Sequence, residues 1–218
     1  RIVIVLKLNM SGVVAISRDL GAKMNSLQNY DYPAEKLGPF LSDADLTHIS
    51  NEVSFVDGCV VGTGMRFCAR DEYMESITAS GVDIVELTGN HNNDYGSTNN
   101  GRSIEMYKAL GMDYFGGGLN NADASKILYK EVDGTKLAFI GYNWYDTTYE
   151  TGAIAWNDKP GANEYSLEKM TANIAEAKAN ADVVIVDFQF QECYSYPESD
   201  VVYPICYKPI SNPDQRGV

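Results

Sequence analysis

The feature that most limits the fold is an alternation. Short apolar runs of strand character are separated by helical stretches along most of the chain. Residues 1–8, 46–53, 82–87, 112–115 and 182–190 are rich in Val, Ile, Leu and Phe, at lengths that suit buried strands. Between them, residues 17–27 read as a short helix. Residues 33–41 read as another, with Pro33 at its first position. The spacing predicts a helix over 71–77 that Asp71 can cap and Gly81 ends, and a further helix over 100–110 stopped by Gly111. Residues 164–179 form the clearest helix, with Leu167, Met170, Ile174 and Ala177 on one stripe. Residues 126–132 and 136–142 flank Asp133-Gly134, a hairpin signal. Helices between strands with one inserted hairpin give an α/β class. Gly116-Gly117-Gly118 reads as a turn, and residues 145–161 as a long surface loop placed to act as a lid. No internal repeat, low-complexity tract or linker divides the chain, so residues 1–218 are expected to form a single domain.

Charge narrows the function. The 218 residues carry 30 Asp and Glu against 17 Lys and Arg, a net charge of −13. Such a surface repels phosphate backbones and anionic bilayers, which argues against a nucleic-acid or membrane-surface partner. A 44% hydrophobic share excludes wholesale disorder. No apolar run approaches the roughly 20 residues that span a bilayer. The four cysteines fall as Cys59 with Cys68 and Cys193 with Cys206. Two local disulfides, other pairings and free thiols all stay open.

Polar residues gather at three strand ends. The richest is Glu86-Leu87-Thr88-Gly89-Asn90-His91-Asn92-Asn93-Asp94-Tyr95-Gly96, after one strand and before a helix, where open α/β sheets bind ligands. Gly-Asn-His after an apolar strand is a loop used by metallophosphoesterases. There the Asn carbonyl oxygen holds a metal and the His serves the leaving oxygen. The plainer alternative is that Asn90 and Asp94 cap the next helix. Glu52 ends a second strand and suits a hard cation such as Mg²⁺, Mn²⁺, Ca²⁺ or Zn²⁺, with Asp45 capping or tuning it; alternatively Asp43 and Asp45 are solvated turn residues. Glu192 follows a third strand and shares an edge with Glu52 and Asn90 if the strands are parallel. Gln189 and Gln191 there either face a polar site or point outward while Phe188 and Phe190 point inward. His48 reads as a satisfied core histidine.

Taken in order, these segments resemble the CapA family, named for poly-γ-glutamate capsule synthesis and distantly related to calcineurin-like metallophosphoesterases. The matching pieces are Gly12-Val13-Val14-Ala15-Ile16-Ser17-Arg18, Ala44-Asp45 with Asn51-Glu52, Asn90 through Gly96, Phe115 through Ala124, and the strands at 136–142 and 182–194. The resemblance implies a metallophosphoesterase-like layered α/β sandwich. It implies a metal-dependent hydrolase or transferase acting on a phosphoester or an envelope polymer, outside the cell or in its envelope, with self-association allowed. Glu52, Asn90 and Glu192 would hold a divalent metal ion, His91 would act as general acid, and Asp94 would orient it. Three departures accompany the match. Val13 follows Gly12 where the family has Gly-Asp. Phe188 stands where the family's His-Trp-Gly-x-Glu has its His. A late His-Pro-His segment would fall beyond Val218, so the sandwich is expected to be incomplete at its C-terminal end. The alternative is a non-catalytic secreted or cell-surface binding or assembly protein that reuses the fold.

Overall fold

Parallel pairing sets the architecture, because it brings the polar strand ends to one edge. The computed structural model describes residues 6–144 and 152–189. In chain order the elements are β1 (Leu8–Val14), α1 (Arg18–Leu27), α2 (Ala34–Leu41), β2 (Leu46–Asn51), α3 (Met74–Ala79), β3 (Ile84–Glu86) and α4 (Ser97–Ala109). There follow β4 (Asp113–Phe115), β5 (Gly117–Gly118), α5 (Asn121–Ala124), β6 (Leu128–Val132), β7 (Thr135–Asn143), β8 (Gly161–Ala162), α6 (Leu167–Asn180) and β9 (Val183–Gln189). Strands β1-β2-β3-β4 form one parallel sheet. Strands β6-β7-β9 form a second, antiparallel at the hairpin and parallel at β7–β9.

Side-chain alternation then fixes four layers. On one face of the first sheet, Ile49 and Val85 pack with Met24 of α1, Ile77 of α3, and Ile104 and Tyr107 of α4. On the other face, Leu46, Ile84 and Phe115 meet Leu137 and Phe139 of the second sheet. The outer face of that sheet, with Ala138, Ile140, Tyr142 and Val186, packs under Met170, Ile174 and Ala177 of α6. Helices, sheet, sheet, helix: this is the layered α/β sandwich expected from the sequence. Between the sheets, a Cβ on Gly141 would stand 2.7 Å from the Cα of Gly116, and one on Gly116 3.0 Å from the Cα of Gly141, so both positions need glycine.

Several local expectations change. Of the strand predicted over 1–8, residues 1–5 lie outside the described residues and Leu6 and Lys7 are not strand, while Leu8 opens a strand that runs to Val14. As an edge strand, β1 leaves Met10 and Val13 exposed and so lacks a continuous apolar signature. Asp71 does not cap a helix. It opens a single 3-10 turn, Asp71–Tyr73, and pairs with Arg102. Helix α4 begins at Ser97, after Gly96 at φ 92°. Leu167 is not part of the buried stripe of α6; it is 55% exposed, in the first turn behind the Ser166 cap. Gly117 and Gly118 form a strand pair with β8 rather than a turn. Of the expected lid, residues 145–151 lie outside the described residues. Ala153, Ile154 and Ala155 are buried, Ile154 being bridged to Ala162, so this stretch is core rather than surface. The hairpin turn at Asp133-Gly134 takes positive φ at both residues, as a two-residue primed turn requires.

Candidate functional site

Strands β2 and β3 end side by side, β9 of the second sheet ends close to them, and each contributes to one half-buried pocket. Glu52 follows β2. Its backbone N–H donates to the Val14 carbonyl oxygen, which carries the β1–β2 pairing one residue past the strand. Past β3 the chain turns at Gly89, where a Cβ would lie 2.8 Å from Glu52 Cγ and 2.9 Å from Glu52 Cα. Only glycine lets the two strand ends close to this degree. The turn that follows is held from several sides. Ser54 Oγ donates to the Asn92 carbonyl oxygen, and Asn93 Nδ2 donates to the carbonyl oxygens of Gly152 and Pro160. Asn100 Nδ2 donates to Asn93 Oδ1. Asn90 and His91 are thereby presented at the sheet edge.

The side chains meet as follows. Gln189 Nε2 donates to Asn90 Oδ1 at 2.8 Å and to Glu52 Oε1 at 3.2 Å, joining three strand ends through one amide. His91 Nδ1 lies 2.8 Å from Asp94 Oδ2. Asp94 Oδ2 also accepts from the backbone N–H of Phe67 at 2.7 Å, and the Phe67 ring sits 4.3 Å from the imidazole. Because an ionised carboxylate only accepts, a neutral His91 in this pair carries its proton on Nδ1 and leaves Nε2 free of it. Neither Asn90 nor Asp94 caps the next helix, whose N-cap is Gly96 with no side-chain cap bond.

Burial pushes the Glu52 carboxyl above its ordinary pKa; the Asp94 charge adds to this, while the His91 charge and the Gln189 hydrogen bond oppose it. Burial works the other way on His91, but the hydrogen bond and charge of Asp94, with the charge of Glu52, outweigh it and raise the imidazole pKa. Both groups thus favour holding a proton.

The sequence-predicted residues divide clearly. Glu52, Asn90, His91 and Asp94 come together. Glu192, with Phe190, Gln191, Cys193 and Cys206, lies outside the described residues. Asp43 and Asp45 stand at the other end of β2, pairing with the Lys7 ammonium and backbone N–H, so Asp45 does not tune Glu52. The phase of β9 also corrects an expectation. Phe188 faces away from the pocket, against Tyr142 and Tyr165, and the side chain that β9 delivers to the pocket is Gln189. Gln189 faces inward although the plain alternation placed it outward. His48 is a core histidine between Phe115 and Phe139, 2% exposed. It is not satisfied: Nε2 comes within 3.2 Å of Asp187 Oδ2, but the alignment makes no hydrogen bond at either ring nitrogen. The Cys59–Cys68 disulfide is formed.

The donor chemistry bears on a metal ion. Glu52 and Asn90 offer one carboxylate and one amide oxygen, and Gln189 N–H groups already occupy both. Among the described residues no three His, Cys, Asp or Glu side chains converge as a cation would need. The described residues therefore do not fit a two-metal centre.

Sequence reasoning missed Phe67, Arg66 and Arg18. Arg66 Nε and Nη2 donate to the Asp94 carbonyl oxygen, its guanidinium covers the Tyr95 ring, and Arg18 stands over Phe67. No local motif marks Phe67 or Arg66, and Arg18, which closes the Gly12–Arg18 segment, carries no sign of its contact with Phe67.

The family described as bacterial capsule synthesis protein PGA_cap matches residues 7–201. The chain is similar to the capsule biosynthesis protein CapA of Bacillus anthracis, 26% identical over 198 residues, which cover 87% of this chain and 47% of that protein. It is also similar to the PGA biosynthesis protein CapA of Bacillus subtilis (strain 168), 28% identical over 118 residues, 54% of this chain and 30% of that protein. The chain spans less than half the length of either relative.

Proposed function

The chain belongs to the bacterial capsule synthesis protein family, and from that membership we propose that it acts in the synthesis or export of an anionic envelope polymer of the poly-γ-glutamate type. In this reading His91 is the proton-transferring group and Asp94 orients it. Glu52 and Asn90, tied by Gln189, form the floor on which the substrate rests. The observation that carries the reading is the convergence of these side chains, from three distant chain segments, at the carboxyl edge of parallel strands. A raised His91 pKa keeps more imidazolium present near neutral pH, which suits a proton donor. Among the described residues, Arg70 and Arg102 pair with carboxylates, whereas Arg18 and Arg66 have no carboxylate partner and stand beside Phe67 and Tyr95. In a protein of charge −13, two such guanidiniums next to the pocket favour an anionic substrate, polymer carboxylate or phosphoester. No step of this reading passes through a metal ion. The Cys59–Cys68 disulfide suits an oxidising compartment and so a site of action outside the cytoplasmic membrane.

The test incubates the full-length protein with poly-γ-glutamate and, separately, with a phosphodiester, following polymer length and phosphate release. Turnover of one of them is expected, falling at least ~100-fold in His91→Ala, the lower end for lost general acid–base catalysis. No turnover of either, or a His91→Ala variant at the parent rate, would overturn the reading.

A further inference from the structure

Asp94 Oδ2 accepts two hydrogen bonds, and only one comes from His91. The other comes from the backbone of Phe67, whose ring also lies against the imidazole. The preceding residue, Arg66, binds the Asp94 carbonyl oxygen. Two consecutive residues thus touch the carboxylate, the backbone and the ring of the pair.

They sit at the end of a loop closed by the Cys59–Cys68 disulfide, with Cα atoms 6.0 Å apart. Below the disulfide the loop is anchored: Val56 N–H donates to the Ala69 carbonyl oxygen and Ala69 N–H to that of Ser54. Apart from Val61, which packs against the core, its far part has little to hold it. Val60 and Met65 are 82% and 71% exposed, and Gly62 and Gly64 have no neighbouring atom within 4 Å of where a Cβ would stand. A glycine-containing segment without packing gains a large number of conformations once a crosslink is removed. Cys59 and Cys68 are both buried, so the crosslink ties the loop to the core on each side.

We propose that Phe67 is a positioning residue for the His91–Asp94 pair and that the Cys59–Cys68 disulfide keeps it there. The functional consequence rests on the proton-transfer role of His91; the geometry itself needs no substrate. With Phe67 in place, the carboxylate is locked toward Nδ1 and the imidazole packs against the ring at a tilt of 51°. Nε2 is then the nitrogen left to meet a substrate. With Phe67 displaced, the carboxylate rotates freely and the Nδ1–H tautomer loses its advantage.

The test reads the tautomer of neutral His91 from its imidazole ¹⁵N shifts in the full chain, above the raised pKa, with His91→Gln assigning the signals. Phe67→Ala removes the ring contact while keeping the backbone N–H at this position, so it tests the ring's part in holding the segment against Asp94. Cys59→Ser with Cys68→Ser removes the crosslink without reductant. Phe67→Tyr keeps an aromatic ring and serves as the conservative control. The expected result is an Nδ1–H signature in the parent and in Phe67→Tyr, and a mixture of tautomers in Phe67→Ala and in the double-serine variant. Amide exchange across residues 60–66 should also quicken in the double-serine variant. An unchanged Nδ1–H signature in Phe67→Ala would overturn the role of Phe67. An unchanged signature in the double-serine variant, with or without faster exchange, would overturn the role of the disulfide. If either variant fails to fold, the other still decides its own half, and Phe67→Leu replaces Phe67→Ala. Because the readout involves no turnover, a failure of the proposed activity would leave it standing, and the reverse also holds.

Discussion

Gly89→Ala is the sharpest steric probe of the pocket. The added methyl would lie 2.8 Å from Glu52 Cγ and 2.9 Å from Glu52 Cα. The first contact could be relieved by rotating a side chain, but the second is with backbone and cannot. Gly89 does not sit at positive φ, so the cost is steric rather than conformational. Restoring ordinary contact needs the ends of β2 and β3 to part by roughly half an ångström, and overpacking of this kind costs about 1–3 kcal/mol. Against it stands a gain of about 0.4–1 kcal/mol from a stiffer unfolded chain. The net expectation is a loss of about 1–2 kcal/mol, or a fall in Tm of roughly 2–8 °C at this chain length. Gly12→Ala is the matched control: it lies in edge strand β1 with no atom within 4 Å of the added methyl, so it should be neutral or slightly stabilising. Denaturant melts of both variants, with the slope checked against the parent, give the comparison. A Gly89→Ala variant as stable as Gly12→Ala would refute the close approach of the two strand ends, and with it the shared pocket.

Three further outcomes follow from the same structure. The His91 pKa is raised above its ordinary 6.5, so the parent's stability advantage over His91→Gln should be fully present below that pH and vanish as pH rises through the raised value; melts from pH 5 to 9 read it, and a pH-independent difference would contradict it. Buried Glu86, hydrogen-bonded to the Thr88 N–H, has its pKa raised by burial, opposed by hydrogen bonds from Ser50 and Thr88. Its stabilising contribution is thus present below the ordinary 4.5 and lost as pH rises through the raised value, so Glu86→Gln should match or exceed the parent's stability and lead increasingly toward alkaline pH. Cys59→Ala with Cys68→Ala opens a loop of sequence separation 9 and should cost about 2.5 kcal/mol by loop entropy, measured by denaturant melts without reductant.

What the sequence revealed of this protein follows from how local each signal is. Strand ends, helix stops and the Asp133-Gly134 turn are encoded within a few residues, and the layered α/β order was legible from them. So were Glu52, Asn90, His91 and Asp94, because each follows or closely trails an apolar run that had to be a strand. Strand β1 was not foreseen beyond Leu8 because the mixed sequence Leu8–Val14 carries no apolar run of its own, and its pairing with β2 is a tertiary fact. The phase of β9 stayed open between two readings. Alternation says that Phe188 and Gln189 face opposite ways but not which way is in. That choice is made by α6, which covers the face bearing Phe188 and leaves Asp187 and Gln189 to the space between the sheets.

The choice has a chemical consequence. A strand facing the other way would bring an apolar ring to Glu52 and Asn90 and leave their oxygens unpaired in a half-buried pocket, at a cost of about 1–3 kcal/mol for each orphaned group. Gln189 instead satisfies both at once. The Gln189 amide adds no charge, so it does little to offset the burial that raises the Glu52 pKa, whereas a cation in the same position would lower it. Burial raises the Glu52 pKa and the neighbouring carboxylates raise that of His91, so each leans toward its protonated form, and Arg18 and Arg66, which have no carboxylate partner among the described residues, stand beside Phe67 and Tyr95. Pocket polarity and the nearby arginines thus support the proposed anionic substrate, and they do so through residues that a search for metal ligands alone would pass over.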